Sequence, residues 1–351
     1  MALFEINALD RNIYDEQLRD FLPESMIDIH AHIYLKEFKG RTEAIKRTVA
    51  WPSLVAEDNS FEDHQEAYHL FFPDKKISCL MFSNIGPNDD QSAANRYVAE
   101  VSRKSGWPAL YFSSPLEPAE VLLRNILAGG FLGVKAYLNF APPYIPESEI
   151  RIFDFLPKHQ LRVLDRLGGI VMLHIPRPGR FRDPVNLAQI LELKQEFPNL
   201  HLIVAHIGRA YCKDDIGDAF KILSRCPDLL FDFCANTNEY AMACLLDAVE
   251  PERIFWGTDA PIYRMRMRRI EENGTYINLV PPGLYGDSRQ DKHLREVDPE
   301  EARTLTYFAY EEILAFKRAA THAGLQLAHI QAIFHDNAKR LIDSVRTTLY
   351  M

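Results

Sequence analysis

His30 and His32 stand two apart in Asp28-Ile29-His30-Ala31-His32, directly after the apolar pair Met26-Ile27. Side chains two apart on a strand leave the same face, so both imidazoles can meet one cation. Histidines at this spacing also arise by chance on surfaces and in cores, and a metal site therefore needs further donors. The chain has them: His174 closes Ile170-Val171-Met172-Leu173, His206 closes Leu202-Ile203-Val204-Ala205, and Asp259 follows Trp256-Gly257-Thr258. Three imidazoles and a carboxylate suit zinc, with manganese or iron as alternatives, and leave a position for water. A divalent ion lowers the pKa of such a water from 15.7 to about 7 and polarises a carbonyl. Asp259 is then the natural proton acceptor, and His206 can stabilise an oxyanion or shuttle protons.

Residues this far apart meet only if the elements bring them together. Short β-prone runs at 26–30, 77–83, 109–113, 133–137, 170–174, 201–206, 229–233 and 254–258 alternate with helix-like stretches at 91–103, 118–128, 157–167, 186–197, 215–225 and 239–249. Such alternation implies parallel βα units, and eight of them favour a (β/α)8 TIM barrel. In a barrel the candidate ligands, all at carboxyl ends of strands, ring a single mouth. The expected organisation is one domain over 1–351: a barrel core at about 26–261, long irregular mouth insertions at about 34–76 and 263–298, and outer C-terminal helices at about 299–348.

With its spacing, the set Asp28-Ile-His-Ala-His32, Leu173-His174, Ala205-His206-Ile-Gly208 and Gly257-Thr-Asp-Ala-Pro261 resembles the amidohydrolase superfamily, in particular its amidohydrolase-related branch (amidohydrolase 2). Asn337-Ala-Lys-Arg-Leu341 looks like that branch's closing helix. The resemblance implies His30, His32, His174 and Asp259 as ligands of one divalent metal, with His206 beside the substrate or the activated water. The branch includes metal-dependent hydrolases and decarboxylases of aromatic or unsaturated carboxylic acids.

Lys135 ends the fourth strand, where two-metal members of the superfamily carry a carboxylated lysine; it could bridge metals, bind a substrate carboxylate, or snorkel from the barrel end. The second role is preferred because the branch resembled uses one metal. Arg177, Arg180, Arg209 and Arg264 follow the metal strands, and cations at one mouth suit an anionic substrate, with Arg177 and Arg209 ahead by closeness to the ligands. Asn236 or Asn238 reads as a helix N-cap, Gly208 and Gly257 as tight turns, and Cys212 and Cys234 as inert buried thiols. His64, His69, His159, His201, His293, His322 and His329 read as structural or exposed.

With 351 residues, 47% of them hydrophobic and 25% charged, the composition is ordinarily globular, and the net charge of −9 argues against a nucleic-acid partner. Five cysteines without C-x-x-C spacing suggest reduced thiols, and no signal peptide or membrane span is read, so the expected location is the cytoplasm. No dinucleotide fingerprint or Walker loop calls for a nucleotide cofactor. Exposed outer helices would suit a homodimer. The leading reading is an enzyme, a metal-dependent hydrolase activating water against an ester, lactone or amide of a small carboxylated substrate. The alternatives are a decarboxylase and a non-catalytic binding barrel, the latter opposed by the intact ligand set.

Overall fold

The strands form where the apolar runs are, and their registers are parallel. The computed structural model describes residues 3–40, 54–286 and 291–350. Among these, eight strands follow one another as β1 (Ser25–His32), β2 (Lys76–Phe82), β3 (Tyr111–Phe112), β4 (Gly133–Ala136), β5 (Ile170–Leu173), β6 (His201–Val204), β7 (Leu230–Asp232) and β8 (Ile254–Phe255). Continuous parallel ladders join β1 to β2 and run from β3 through to β8. Between these stretches the ladder thins to single bridges. Met81 pairs with Ala109 across one seam, and across the other Ala31 pairs with Ala260 while the Ile29 N–H donates to the Trp256 carbonyl at 3.0 Å.

Alternation along the strands separates two faces. Ile29, Leu80, Leu110, Leu132, Met172, Ile203 and Phe255 share one buried cluster, whereas Met81, Val134, Val171, Leu202 and Phe231 pack with the surrounding helices in another. The last helix, Asn337–Tyr350, sets Ala338, Leu341, Ile342 and Val345 into the first cluster. It therefore closes the inner core, where a helix merely packed outside was expected.

Two stretches read as irregular have regular structure. Between β1 and β2 lies a helix, Phe61–Phe71, started by a capping box in which Ser60 accepts from the Asp63 N–H and Asp63 from that of Ser60. After β8 the chain builds a sheet of β9 (Arg266–Glu272), β10 (Thr275–Val280), β11 (Leu294–Glu296) and β12 (Thr306–Tyr307) in the order β11-β10-β9-β12. Asn273 and Gly274, both at positive φ, turn β9 into β10, the backbone that a tight hairpin demands. Only then comes the helix Phe308–His322, completing the eighth βα unit. Parts of both mouth insertions, 41–53 and 287–290, lie outside the described residues. Among the described residues no helix is long and apolar enough to cross a membrane.

Candidate metal centre

The parallel register of β1 shifts between Asp28 and Ala31, and beyond that shift His30 and His32 both approach Asp259. His30 is fully buried, and its Nδ1 donates to Asp232 Oδ2 at 3.0 Å. The Nδ1 of His32 meets the Ser83 carbonyl at 2.9 Å, and since a carbonyl only accepts, that nitrogen carries the proton. Both rings consequently present the Nε2 lone pair, at 3.4 Å (His30) and 3.3 Å (His32) from Asp259 Oδ1. Fastening the far nitrogen to an acceptor fixes the tautomer that a metal requires.

Asp259 sits at φ 49°, and its N–H donates to the His30 carbonyl at 2.8 Å, which ties the end of β8 to β1. Gly257 is needed there, because a Cβ would lie 2.9 Å from that of His30. Burial raises the Asp259 carboxyl, whereas any proton on His206, His32 or His30 lowers it, and the net direction is below the usual carboxylate range. Burial in turn holds His30 and His174 well below the usual imidazole range and pushes His206 down to about 4. Neutral imidazoles beside an ionised carboxylate are the protonation states a cation needs.

His206 begins an unusual turn. His206, Ile207, Gly208 and Arg209 all have φ between 51° and 61°, one turn in the left-handed sense. A Cβ on Gly208 would lie 2.2 Å from the Phe181 ring, so glycine is obligatory by space as well as by dihedral. The His206 Nδ1 donates to the Cys234 carbonyl at 3.1 Å, and Nε2 faces Asp259 Oδ2 at 3.9 Å. His174 stands against the same group: its ring centroid lies 5.4 Å from that of His206 and 4.8 Å from that of Tyr137. Among the described residues its buried Nδ1 has no hydrogen-bond partner. The donor atoms of His30, His32 and Asp259 lie within 4.8 Å of one another, and His174 is outside that tight group. These donors fit a divalent cation: three imidazoles with fixed Nε2 lone pairs, a fourth with an orphaned nitrogen, and an ionised carboxylate between them.

Lys135 is buried, with Nζ 3.2 Å from His30 Nε2 and 5.1 Å above the Phe82 ring. Burial lowers its ammonium to about 8 against the pull of Asp259 and Asp232. Arg209 donates through Nη1 to the carbonyls of Ile175 (3.2 Å), Pro176 (3.0 Å) and Arg177 (3.4 Å), which holds its head beside the His174 strand. Arg177, expected to bind substrate, has its Nε paired with Asp183 at 3.2 Å. Arg180 is likewise paired, with Asp215 at 2.6 Å.

Several supporting residues escaped the sequence reading. Asp232 is fully buried and joins two histidines: Oδ2 takes the His30 Nδ1–H, while Oδ1 accepts from the His206 N–H at 2.7 Å and from Cys234 Sγ at 3.0 Å. Asp28 accepts from the N–H groups of His30 and Thr258 and from the Tyr68 hydroxyl, and burial still pushes its carboxyl up to about 7. His64, read as structural or exposed, is buried and bonds the His32 carbonyl at 2.9 Å, as does Asn59 at 2.5 Å. His293, also in that group, is buried and stacks on Tyr276 with centroids 4.1 Å apart. Tyr211, 6.4 Å from the His206 ring, meets the guanidiniums of both Arg180 (5.3 Å) and Arg269 (5.1 Å), so that β9 reaches the mouth. Asn238 caps the helix Glu239–Ala248, as one of the two expected asparagines. The signal for Asp232 and Asp28 is an acid inside an apolar strand, since a buried carboxylate has to be bonded to something.

The family model described as amidohydrolase matches residues 27–343. No curated protein matches the chain in sequence. Among solved structures, the chain is similar to a probable 2-pyrone-4,6-dicarboxylic acid hydrolase from Acinetobacter baumannii with citric acid bound, at 17% identity and TM-score 0.55, covering 91% of this chain and 99% of that one. A 4-oxalomesaconate hydratase from Rhodopseudomonas palustris is similar at 17% identity and TM-score 0.53, covering 92% and 97%. The 5-carboxyvanillate decarboxylase from Sphingomonas paucimobilis is similar at 11% identity and TM-score 0.54, covering 92% and 99%. At these identities the likeness is one of fold.

Proposed function

The chain belongs to the amidohydrolase family, and on that premise we propose that it is a metal-dependent hydrolase, one catalytic domain over 1–351, acting on an ester, lactone or amide of a small carboxylated substrate. One observation carries the proposal: Nδ1 of His30, His32 and His206 is each tied to an acceptor, and the three Nε2 lone pairs face Asp259. His30, His32, His174 and Asp259 would hold one divalent ion, with zinc the first choice for nitrogen donors and manganese or iron as alternatives. Bound there, the ion would supply Lewis acidity and an acidified water.

The residues divide the remaining work. The ionised Asp259 carboxylate accepts the proton of the attacking water and returns it to the leaving group. His206, neutral at pH 7, offers Nε2 as the nearby relay. Lys135 and Arg209 supply positive charge for an anionic substrate, whereas Arg177 is occupied by Asp183. The free state of all five cysteines suits the reducing cytoplasm. A second reading, decarboxylation, is favoured by the comparable likeness to a decarboxylase and by Arg209 beside His174.

The test is product analysis of zinc- and manganese-loaded protein given lactones, carboxylated amides and aromatic hydroxy acids. Hydrolysis without gas release is expected, falling about 10²–10⁴-fold in Asp259→Asn. Release of carbon dioxide would replace hydrolysis by the lyase reading, and a fully active Asp259→Asn protein would sink both.

A further inference from the structure

A tyrosine hydroxyl drawn into a protein finds a partner, and several here do: Tyr68 donates to Asp28, Tyr307 to the Glu5 carbonyl and Tyr310 to the Phe71 carbonyl. Tyr211 is different. It is half-buried, and its hydroxyl bonds nothing among the described residues, yet it is not sealed in as the unbonded Tyr263 hydroxyl is. A phenylalanine would pack the same ring, so packing alone does not account for the oxygen.

The ring is clamped next to the candidate centre. Tyr211 lies directly beyond the left-handed turn His206–Arg209, with its N–H on the Arg209 carbonyl at 2.9 Å and its ring centroid 6.4 Å from that of His206. The guanidiniums of Arg180 and Arg269 sit 5.3 Å and 5.1 Å from its centroid, and the Tyr276 ring meets it edge-on at 5.2 Å. Both arginines are themselves anchored, Arg180 by Asp215 at 2.6 Å and Arg269 by Asn278 Oδ1 at 2.9 Å and the Ala235 carbonyl at 2.8 Å. Two cations at the π-system draw electron density from the ring and strengthen its O–H as a donor. Burial meanwhile pushes the phenol above its ordinary 10, with the charges of Arg209 and Asp259 also felt there, so the proton stays on at neutral pH.

We propose that Tyr211 is a catalytic residue whose hydroxyl donates a hydrogen bond to the substrate carbonyl oxygen as that oxygen gains negative charge under attack by water. The inference rests on the hydrolase reading of the centre. In the first step the water oxygen bonds the carbonyl carbon, the C=O π pair moves on to the oxygen, and Asp259 takes the water's proton. In the second the pair returns, the bond to the leaving group breaks with its electrons, and the leaving group takes the proton from Asp259. Tyr211 keeps its proton throughout. A fixed neutral donor of this kind acts on charge that develops only in the transition state, and it leaves His206 free to relay protons.

The experiment is isothermal titration calorimetry of the full, zinc-loaded chain, wild type against Tyr211→Phe, with tetrahedral methylphosphonate and with planar acetate. The variant keeps the ring and its stacking and loses only the oxygen. Tyr211→Phe should weaken methylphosphonate about tenfold or more while acetate stays within about twofold. For any ester, lactone or amide that the wild type hydrolyses, the same change should lower kcat about 10²–10³-fold and leave KM within about twofold. An equal loss for both ligands, an unchanged phosphonate affinity, no binding of either ligand by the zinc-holding wild type, or an unchanged kcat would overturn the proposal. Metal content of the same samples separates the two readings: a chain that retains no zinc sinks the hydrolase assignment, whereas a zinc-holding chain indifferent to the Tyr211 hydroxyl sinks this one.

Discussion

A carboxylate that takes the His30 Nδ1–H with one oxygen and the His206 N–H with the other fails in a definite way when it becomes an amide. In Asp232→Asn the Oδ1 contacts can survive, but the NH2 group would face His30 Nδ1 and drive its proton to Nε2, the atom that faces Asp259. Metal affinity should fall about 10–100-fold with little change in secondary structure, measured by competition with a chromogenic chelator. Unaltered affinity would show that Asp232 does not set the His30 tautomer. At this scale the sequence made legible the residues that the fold brings together, because His30, His32, His174, His206 and Asp259 are polar residues at the ends of apolar runs. Asp232 sits inside Leu230-Phe231-Asp232-Phe233, where the apolar pattern hides it, and no spacing pairs it with a histidine 202 positions away.

Among the elements, all eight barrel strands could be read from their apolar runs, since strands buried on both faces leave that signature. The sheet after β8 could have been read from Asn273-Gly274, a hairpin signal, and the helix Phe61–Phe71 from Ser60 and Asp63. The left-handed turn His206–Arg209 could not, because only Gly208 hints at positive φ and three other residues share it. Gly208→Ala tests that turn. Its Cβ would strike the buried Phe181 ring, and the protein should lose about 1–3 kcal/mol in urea unfolding; a change within about 0.5 kcal/mol, the range of a surface substitution, would show the turn to be unstrained. The helix Phe308–His322 contributes a second test through Glu312, buried with Oε2 unbonded among the described residues and held well above its ordinary 4.5 by burial and by Asp28 and Asp232. An acid with a raised folded pKa binds more protons folded than unfolded, so stability falls as pH rises from the unfolded pKa through the folded one. Glu312→Gln cannot ionise and escapes that loss. Its stability relative to wild type should therefore be greater at pH 8 than at pH 5, and a pH-independent difference would place the Glu312 carboxyl outside this account.

For the whole molecule, the fold gathers into one buried cluster residues from positions 28 to 259, and the ring is pinned at the β8–β1 seam by the site itself: Asp259 donates to the His30 carbonyl, and Thr258 to Asp28. A cation bound there would hold that seam in the folded state alone, so metal should raise the melting temperature. The most direct measurement of the central claim is elemental analysis of the purified chain after zinc loading and removal of loose metal. About one zinc per chain is predicted for the wild type, with a sharp drop in His30→Ala and in Asp259→Ala. A natively folded wild type that retains no metal, or variants that retain as much as the wild type, would contradict it.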